Sequence, residues 1–246
     1  MRRIPGGFTP LGAGKQNCQI VINELRDKMI DKSLILRKLN GYKEYFKPDD
    51  DDDGFLLAIC YIQLAEYSIA LQFFEKSCLA MLNPPQLWKG TSQPNWLVDI
   101  GVLSGRKDQY QKITQELDAY KKDYRGNSLA ALYSYGLMEL LTSSENKIYS
   151  WIPELIKRPK IKDIYAIGIS FQAILDKNIN DFNNGLTELL KAHEGMAKHG
   201  ALRETAEGFI CMSAMSLAYI AKKRNFVLVR CILQKETSVF KTKFLY

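Results

Sequence analysis

Gln109-Tyr110-Gln111-Lys112-Ile113-Thr114-Gln115-Glu116-Leu117-Asp118-Ala119-Tyr120-Lys121-Lys122-Asp123-Tyr124 is the stretch that decides the fold class. Tyr110, Ile113, Leu117, Tyr120 and Tyr124 recur at steps of three and four residues. That rhythm lines up one face of an α-helix, and every position between them except Ala119 is polar. A half-buried strand needs alternation with period two, and no pair of alternating runs appears on either side.

Working outward, the same reading repeats. Gly126 is placed to end this helix and Asn127 to cap the next, which runs to about Leu141. On the other side, Pro94 fits the first turn of a short helix reaching Ser104, with residues 83–93 a loop before it. Gly54 to Leu82 reads as one long helix, with Asp53 as its N-cap and Pro84-Pro85 as its stop. It is apolar almost all round, which places it at the centre of the fold. Downstream, Asn146 to Arg158 is a helix that Pro153 kinks or restarts, and Lys160 to Asp176 is another. Asn180 to His199 then puts Phe182, Leu186, Leu189, Leu190, His193, Met196 and Ala197 on one face. Gly208 to Arg224 is apolar on most sides and reads as buried. Phe226 to Leu233 fits a short strand or a helix equally well. Lys15 to Phe46 is helical in pattern with a break near Asn40-Gly41, after an irregular Gly- and Pro-rich lead-in over residues 1–14. The expectation is an all-α chain of about nine antiparallel helices, an irregular bundle or short solenoid, forming a single domain over residues 1–246. Ala65 to Phe74 has the flavour of a tetratricopeptide helix, but no fixed repeat period follows it.

The 246 residues hold 34 Lys and Arg against 27 Asp and Glu, a net charge of +7. The excess is concentrated at one end. From Lys222 onward there are seven basic residues and one acid, Glu236, so residues 222–246 carry +6 and the rest of the chain only +1. A basic segment of this kind reads as a solvated end, or as a contact for an anionic surface. Nucleic acid is not the expected partner, because no aromatic and basic residues interleave on a nucleic-acid module there. Five cysteines at 18, 60, 78, 211 and 231 form no CxxC pair and no zinc spacing. Cys60, Cys78 and Cys211 sit in apolar helical patterns and read as small core residues in a reducing, cytoplasmic setting. No apolar stretch reaches the ~18 residues of a membrane span, and no signal peptide is visible.

Catalytic and cofactor patterns are lacking. The two histidines, His193 and His199, are six apart and do not share a helix face, and His193 reads as a structural residue of the apolar stripe. No nucleophile–histidine–acid set assembles, and no metal ligand set is expected. Gly12-Ala13-Gly14-Lys15 resembles part of a phosphate loop, but it lacks the first glycine, the following Ser or Thr, and a strand before it. The third possibility, an active site of carboxylates such as Glu66 and Glu139 on apolar helices, has snorkelling or ion pairing as its ordinary alternative.

The most unusual stretch is Pro48-Asp49-Asp50-Asp51-Asp52-Asp53-Gly54. Its spacing is not that of a calcium loop. Adjacent carboxylates repel, so they are explained either by the positive end of a helix or by an acidic patch for a basic partner. Asp49, Asp50, Asp51 and Asp52 are accordingly the candidate partner-binding residues, with Asp53 reserved as the cap.

In the last third, Ile169-Ser-Phe-Gln-Ala-Ile-Leu-Asp-Lys-Asn-Ile-Asn-Asp-Phe-Asn-Asn-Gly-Leu-Thr-Glu-Leu-Leu-Lys191 is followed by Ala192-His193-Glu194, and then by Phe209-Ile210-Cys211 through Leu217-Ala218-Tyr219-Ile220-Ala221-Lys222-Lys223. A helix ends in a small polar turn; the next carries a Phe and Leu stripe with a histidine; a buried Leu-Ala-x-Ile-Ala helix comes after. Over roughly residues 130–230 this resembles the immunity protein 49 family, all-helical immunity proteins of bacterial polymorphic toxin systems. The resemblance implies a cytosolic, non-enzymatic binder that neutralises one cognate protein toxin by covering its active site, without cofactor. The rival expectation is a tetratricopeptide-like scaffold or regulator that binds peptides or proteins in a groove.

Overall fold

A computed structural model describes residues 51–63, 66–82, 94–123, 129–142, 148–200, 202, 208 and 210–224. The expected lead-in over 1–14, the helix over 15–46, the loop over 83–93, the turn at Gly126 and Asn127, the segment 226–233 and the tail beyond Arg224 lie outside them. Among the described residues every regular element is helical: α1 Asp51–Gln63, α2 Tyr67–Leu82, α3 Pro94–Ser104, a 3₁₀ turn Lys107–Gln109 running into α4 Tyr110–Asp123, α5 Leu129–Thr142, α6 Ile148–Ile156, α7 Lys162–Leu175, α8 Ile179–His199 and α9 Met212–Lys223. The all-α expectation therefore holds. No helix among the described residues is long and apolar enough to cross a membrane.

The expected long helix over 54–82 is two helices. A single one would be about 43 Å long and would present apolar surface all round. Instead α1 and α2 fold back on each other around Glu66, whose N–H donates to Tyr61 O at 2.9 Å and whose carbonyl accepts from Ala70 N at 3.0 Å. The Tyr61 and Phe73 rings stack across the pair with centroids 5.6 Å apart. Each helix thereby buries its apolar face against the other. Asp53 is not the N-cap, because α1 already includes Asp51. The apolar residues of both helices are enclosed as expected, with Ile59, Tyr61, Phe73 and Phe74 fully buried.

Among the described residues, α3 and α5 carry the longest unbroken buried runs. Leu97 to Leu103 are buried without interruption, and so are Ala131 to Met138. α3 packs on α2, α4, α5 and α9, and α5 packs on α3, α4, α6, α7 and α9. The Tyr110–Ile113–Leu117 face of α4 is buried as its spacing predicts. Pro153 neither breaks nor restarts its helix; α6 passes through it, with the proline itself exposed.

α7 and α8 form the tightest hairpin. Asn178 caps α8, its side-chain oxygen accepting from Asn180 N at 3.1 Å and Asp181 N at 3.2 Å. Gly185 lets the two backbones approach, because a Cβ there would strike the Ser170 hydroxyl and lie 3.2 Å from Ala166 O. The predicted α8 stripe faces inward, with Phe182, Leu186, Leu189 and His193 buried and Leu190, Met196 and Ala197 half-buried. α9 then returns to lie against α3 and α5, so the hairpins close on the centre instead of continuing outward.

Candidate functional site

Of the residues expected to contact a partner, Asp49 and Asp50 lie outside the described residues. Asp51 and Asp52 lie on the backbone of α1.

Two other sites are built by the fold, and both are made from α9. The first is sealed. Asp99 is the only charged residue in α3, and only 2% of its surface is exposed. Tyr133 of α5 donates its hydroxyl hydrogen bond to Asp99 Oδ1, and Ser213 of α9 donates to Oδ2 at 3.4 Å. Ser216, one turn further along α9, is buried with its Oγ outside hydrogen-bonding geometry, yet near enough to favour the ionised carboxylate. Burial outweighs these hydroxyls and pushes the Asp99 carboxyl up to about 7. The same burial, with the carboxylate beside it, drives Tyr133 well above its ordinary value and keeps it a donor. Tyr133 in turn stacks on Phe171 of α7, ring centroids 6.1 Å apart. Cys211 at the start of α9 is buried nearby, its thiol pushed up to about 12 and therefore inert at neutral pH. This cluster joins α3, α5 and α9 by polar contacts in an apolar centre. Chemically it can hold or release one proton.

The second site is open. A recess of about 500 Å³ is lined by Lys107, Tyr110, Leu140, Leu141, Lys177, Ile220, Lys223 and Arg224. Among the described residues, no acidic one lines it. Arg224 closes α5 by donating from Nε and Nη2 to Leu140 O at 3.2 and 2.8 Å. The Lys223 ammonium sits 4.4 Å from the Tyr219 ring centroid and 5.5 Å from that of Tyr110. The contrast with α6 and α8 is plain: there Lys157 pairs with Glu154 at 2.6 Å, Lys191 with Glu188 at 2.7 Å, and Lys198 with Glu194.

The remaining sequence candidates have structural surroundings. His193 is buried, and desolvation lowers its pKa, so the ring is neutral at pH 7; it donates to the Gly208 carbonyl. Cys60, Cys78 and Cys211 are buried free thiols, as their helical patterns suggested, while Cys18 and Cys231 lie outside the described residues. Glu66 and Glu139 are each half-buried. Among the described residues no three His, Cys, Asp or Glu side chains converge to hold a metal ion. A lone carboxylate in Pro94-Asn-Trp-Leu-Val-Asp-Ile-Gly-Val-Leu-Ser104 was a visible signal for Asp99 that periodicity passes over. The recess had no such signal, since four distant segments build it. No protein-family model matches the chain, and no curated protein and no solved structure matches it.

Proposed function

We propose that this chain is a binding protein that neutralises a cognate bacterial toxin by one-to-one association in the cytoplasm, as the resemblance to the immunity protein 49 family implies. The observation that supports the reading is the internal fastening of the body. Asp99, Tyr133 and Ser213 tie the last described helix to α3 and α5. A binder that must block an active site needs a surface held in one shape, so that little ordering entropy is lost on docking. Asp49 to Asp52 remain the proposed contact for a basic face of the toxin.

The test is complex formation. The chain, mixed with the C-terminal domain of a secreted protein encoded next to it, should elute as a one-to-one complex and abolish that domain's activity. Replacing Asp49 to Asp52 by Asn should leave the fold intact, slow association and reduce its dependence on salt. Absence of a complex at micromolar concentrations overturns the reading. The α1–α2 and α7–α8 hairpins favour a second one, a scaffold of helical pairs that takes peptides in a groove. Shared motifs among peptides captured on an array, without toxin inhibition, would select it.

A further inference from the structure

Three of the four cations around the open recess are exposed, and Arg224 is half-buried. Two have local structural roles. Arg224 follows the C-terminus of α9 and caps the end of α5, and Lys223 lies over two aromatic rings. Cations are favoured at the negative ends of helices, so these two are explained without a ligand.

Lys107 and Lys177 are not. Lys107 opens the 3₁₀ turn that runs into α4, at the positive end of that helix, where a cation is disfavoured. Lys177 follows the C-cap of α7 in a left-handed conformation, φ +54°, the one non-glycine described residue with a positive φ. The turn is fixed there by Asn178 N donating to Ala173 O at 2.9 Å, the geometry in which helices usually place glycine. Neither ammonium makes an ion pair or hydrogen bond with any described residue. Two lysines thus stand against their local preferences, on segments 70 residues apart in sequence, and both line one recess.

We propose that this recess binds a small phosphate-bearing anion of about nucleotide size. Its volume, about 500 Å³, falls within the range of small-ligand sites. The chemistry favours phosphate over carboxylate. The Arg224 fork, which would match a carboxylate with two parallel bonds, is engaged by the Leu140 carbonyl. What remains is three ammonium groups, compact charges that suit a ligand with several negative oxygens spread over its surface. Tyr110, Leu140, Leu141 and Ile220 supply an apolar wall for the rest of such a molecule. Four like charges around one cavity repel, and a di- or trivalent anion relieves that repulsion. The site needs no partner protein, so it stands apart from toxin neutralisation.

Calorimetric titration of the full chain at low salt with inorganic pyrophosphate and with ATP tests the proposal, with citrate as the carboxylate control. Both phosphates should bind saturably, and citrate at least about tenfold more weakly. Lys107→Gln and Lys177→Gly should each weaken pyrophosphate binding about tenfold, the worth of one charge-assisted contact. Lys191→Gln removes an equal charge at a paired site away from the recess and should change nothing. Lys177→Gly should unfold at the same or a higher denaturant concentration, because glycine suits a positive φ; its loss of binding then cannot be loss of fold. Absence of saturable binding by both phosphates at millimolar concentration overturns the proposal. So does citrate binding as tight as pyrophosphate, or a Lys191→Gln variant weakened as much as Lys177→Gly.

Discussion

The two sites on α9 are opposites in charge and in exposure. On its inner face, one carboxylate is enclosed with hydroxyl groups and no cation. At its far end, four cations and, among the described residues, no acid line an open space. Solvent decides which arrangement is tolerable. A lone carboxylate can be buried because it can take up a proton and become neutral, and its pKa near 7 records how far that has gone. Arginine has no such escape and lysine has it only when deeply buried, so at the surface these charges persist, screened by water. The comparison separates a polar group that stabilises a packed centre from charges left for something outside.

The sharpest break of the comparison is Tyr133→Phe. It keeps the ring stacked on Phe171 and removes the main donor to Asp99. The expected cost is about 1.5–3 kcal/mol, the worth of a hydrogen bond to a charged group, measured by urea unfolding at pH 8. The cost should shrink at pH 5, where the carboxyl is protonated and needs the donor less.

Next comes Asp99→Asn, which keeps an acceptor for Tyr133 but cannot titrate. A carboxyl whose folded pKa lies above its unfolded value binds protons more tightly in the folded state. Its contribution to stability is therefore fully present below about pH 4 and is lost as the pH rises towards 7. His193 has the opposite sign: its pKa is depressed, so its contribution is lost as the pH falls below 6.5. In the wild type the two oppose each other. In Asp99→Asn the stability measured between pH 5 and 6.5 should rise with pH, and an unchanged profile would show that Asp99 does not titrate in that window.

Arg224→Ala should cost about 1 kcal/mol, since it removes the donors that close α5 and leaves the Leu140 carbonyl to water. The smallest change has the other sign. Lys177→Gly should stabilise the chain by about 0.5–1 kcal/mol through relief of its left-handed backbone, less the entropy glycine returns to the unfolded chain. Differential scanning calorimetry reads both. A Lys177→Gly variant less stable than wild type would mean that the lysine is held by the fold and not for the recess.

Much of the helical framework was legible because its signals are local. Tyr110, Ile113 and Leu117 mark a face by their spacing alone, and Pro94 marks a helix start. The turn between α1 and α2 was not, because no glycine or proline lies between Gly54 and Pro84 and the apolar pattern runs on through it. What divides that segment is the gain from packing its two halves together, which no local residue announces. The same limit hides the recess. Residues 107–110, 140–141, 177 and 220–224 come together only after α4, α5, α7 and α9 have packed, and spacing along the chain carries no trace of it. Of the conspicuous Asp run, only the backbone of Asp51 to Asp53 is described, and it is helical.

The Asp99 cluster also sets a timetable for synthesis. Tyr133 lies 34 residues after Asp99, but Ser213 lies 114 residues after it. At about 5–20 residues per second, Asp99 of α3 emerges from the ribosome roughly 6–23 s, and Tyr133 of α5 roughly 4–16 s, before the helix that completes their packing. During that interval the nascent chain exposes an apolar centre whose carboxylate has only half its partners. The α7–α8 hairpin, joined by a short local turn, can form meanwhile and shield one flank. Chains truncated before α9 should therefore be the chief clients of holding chaperones, and release of full-length protein from them should coincide with the docking of Ser213 against Asp99.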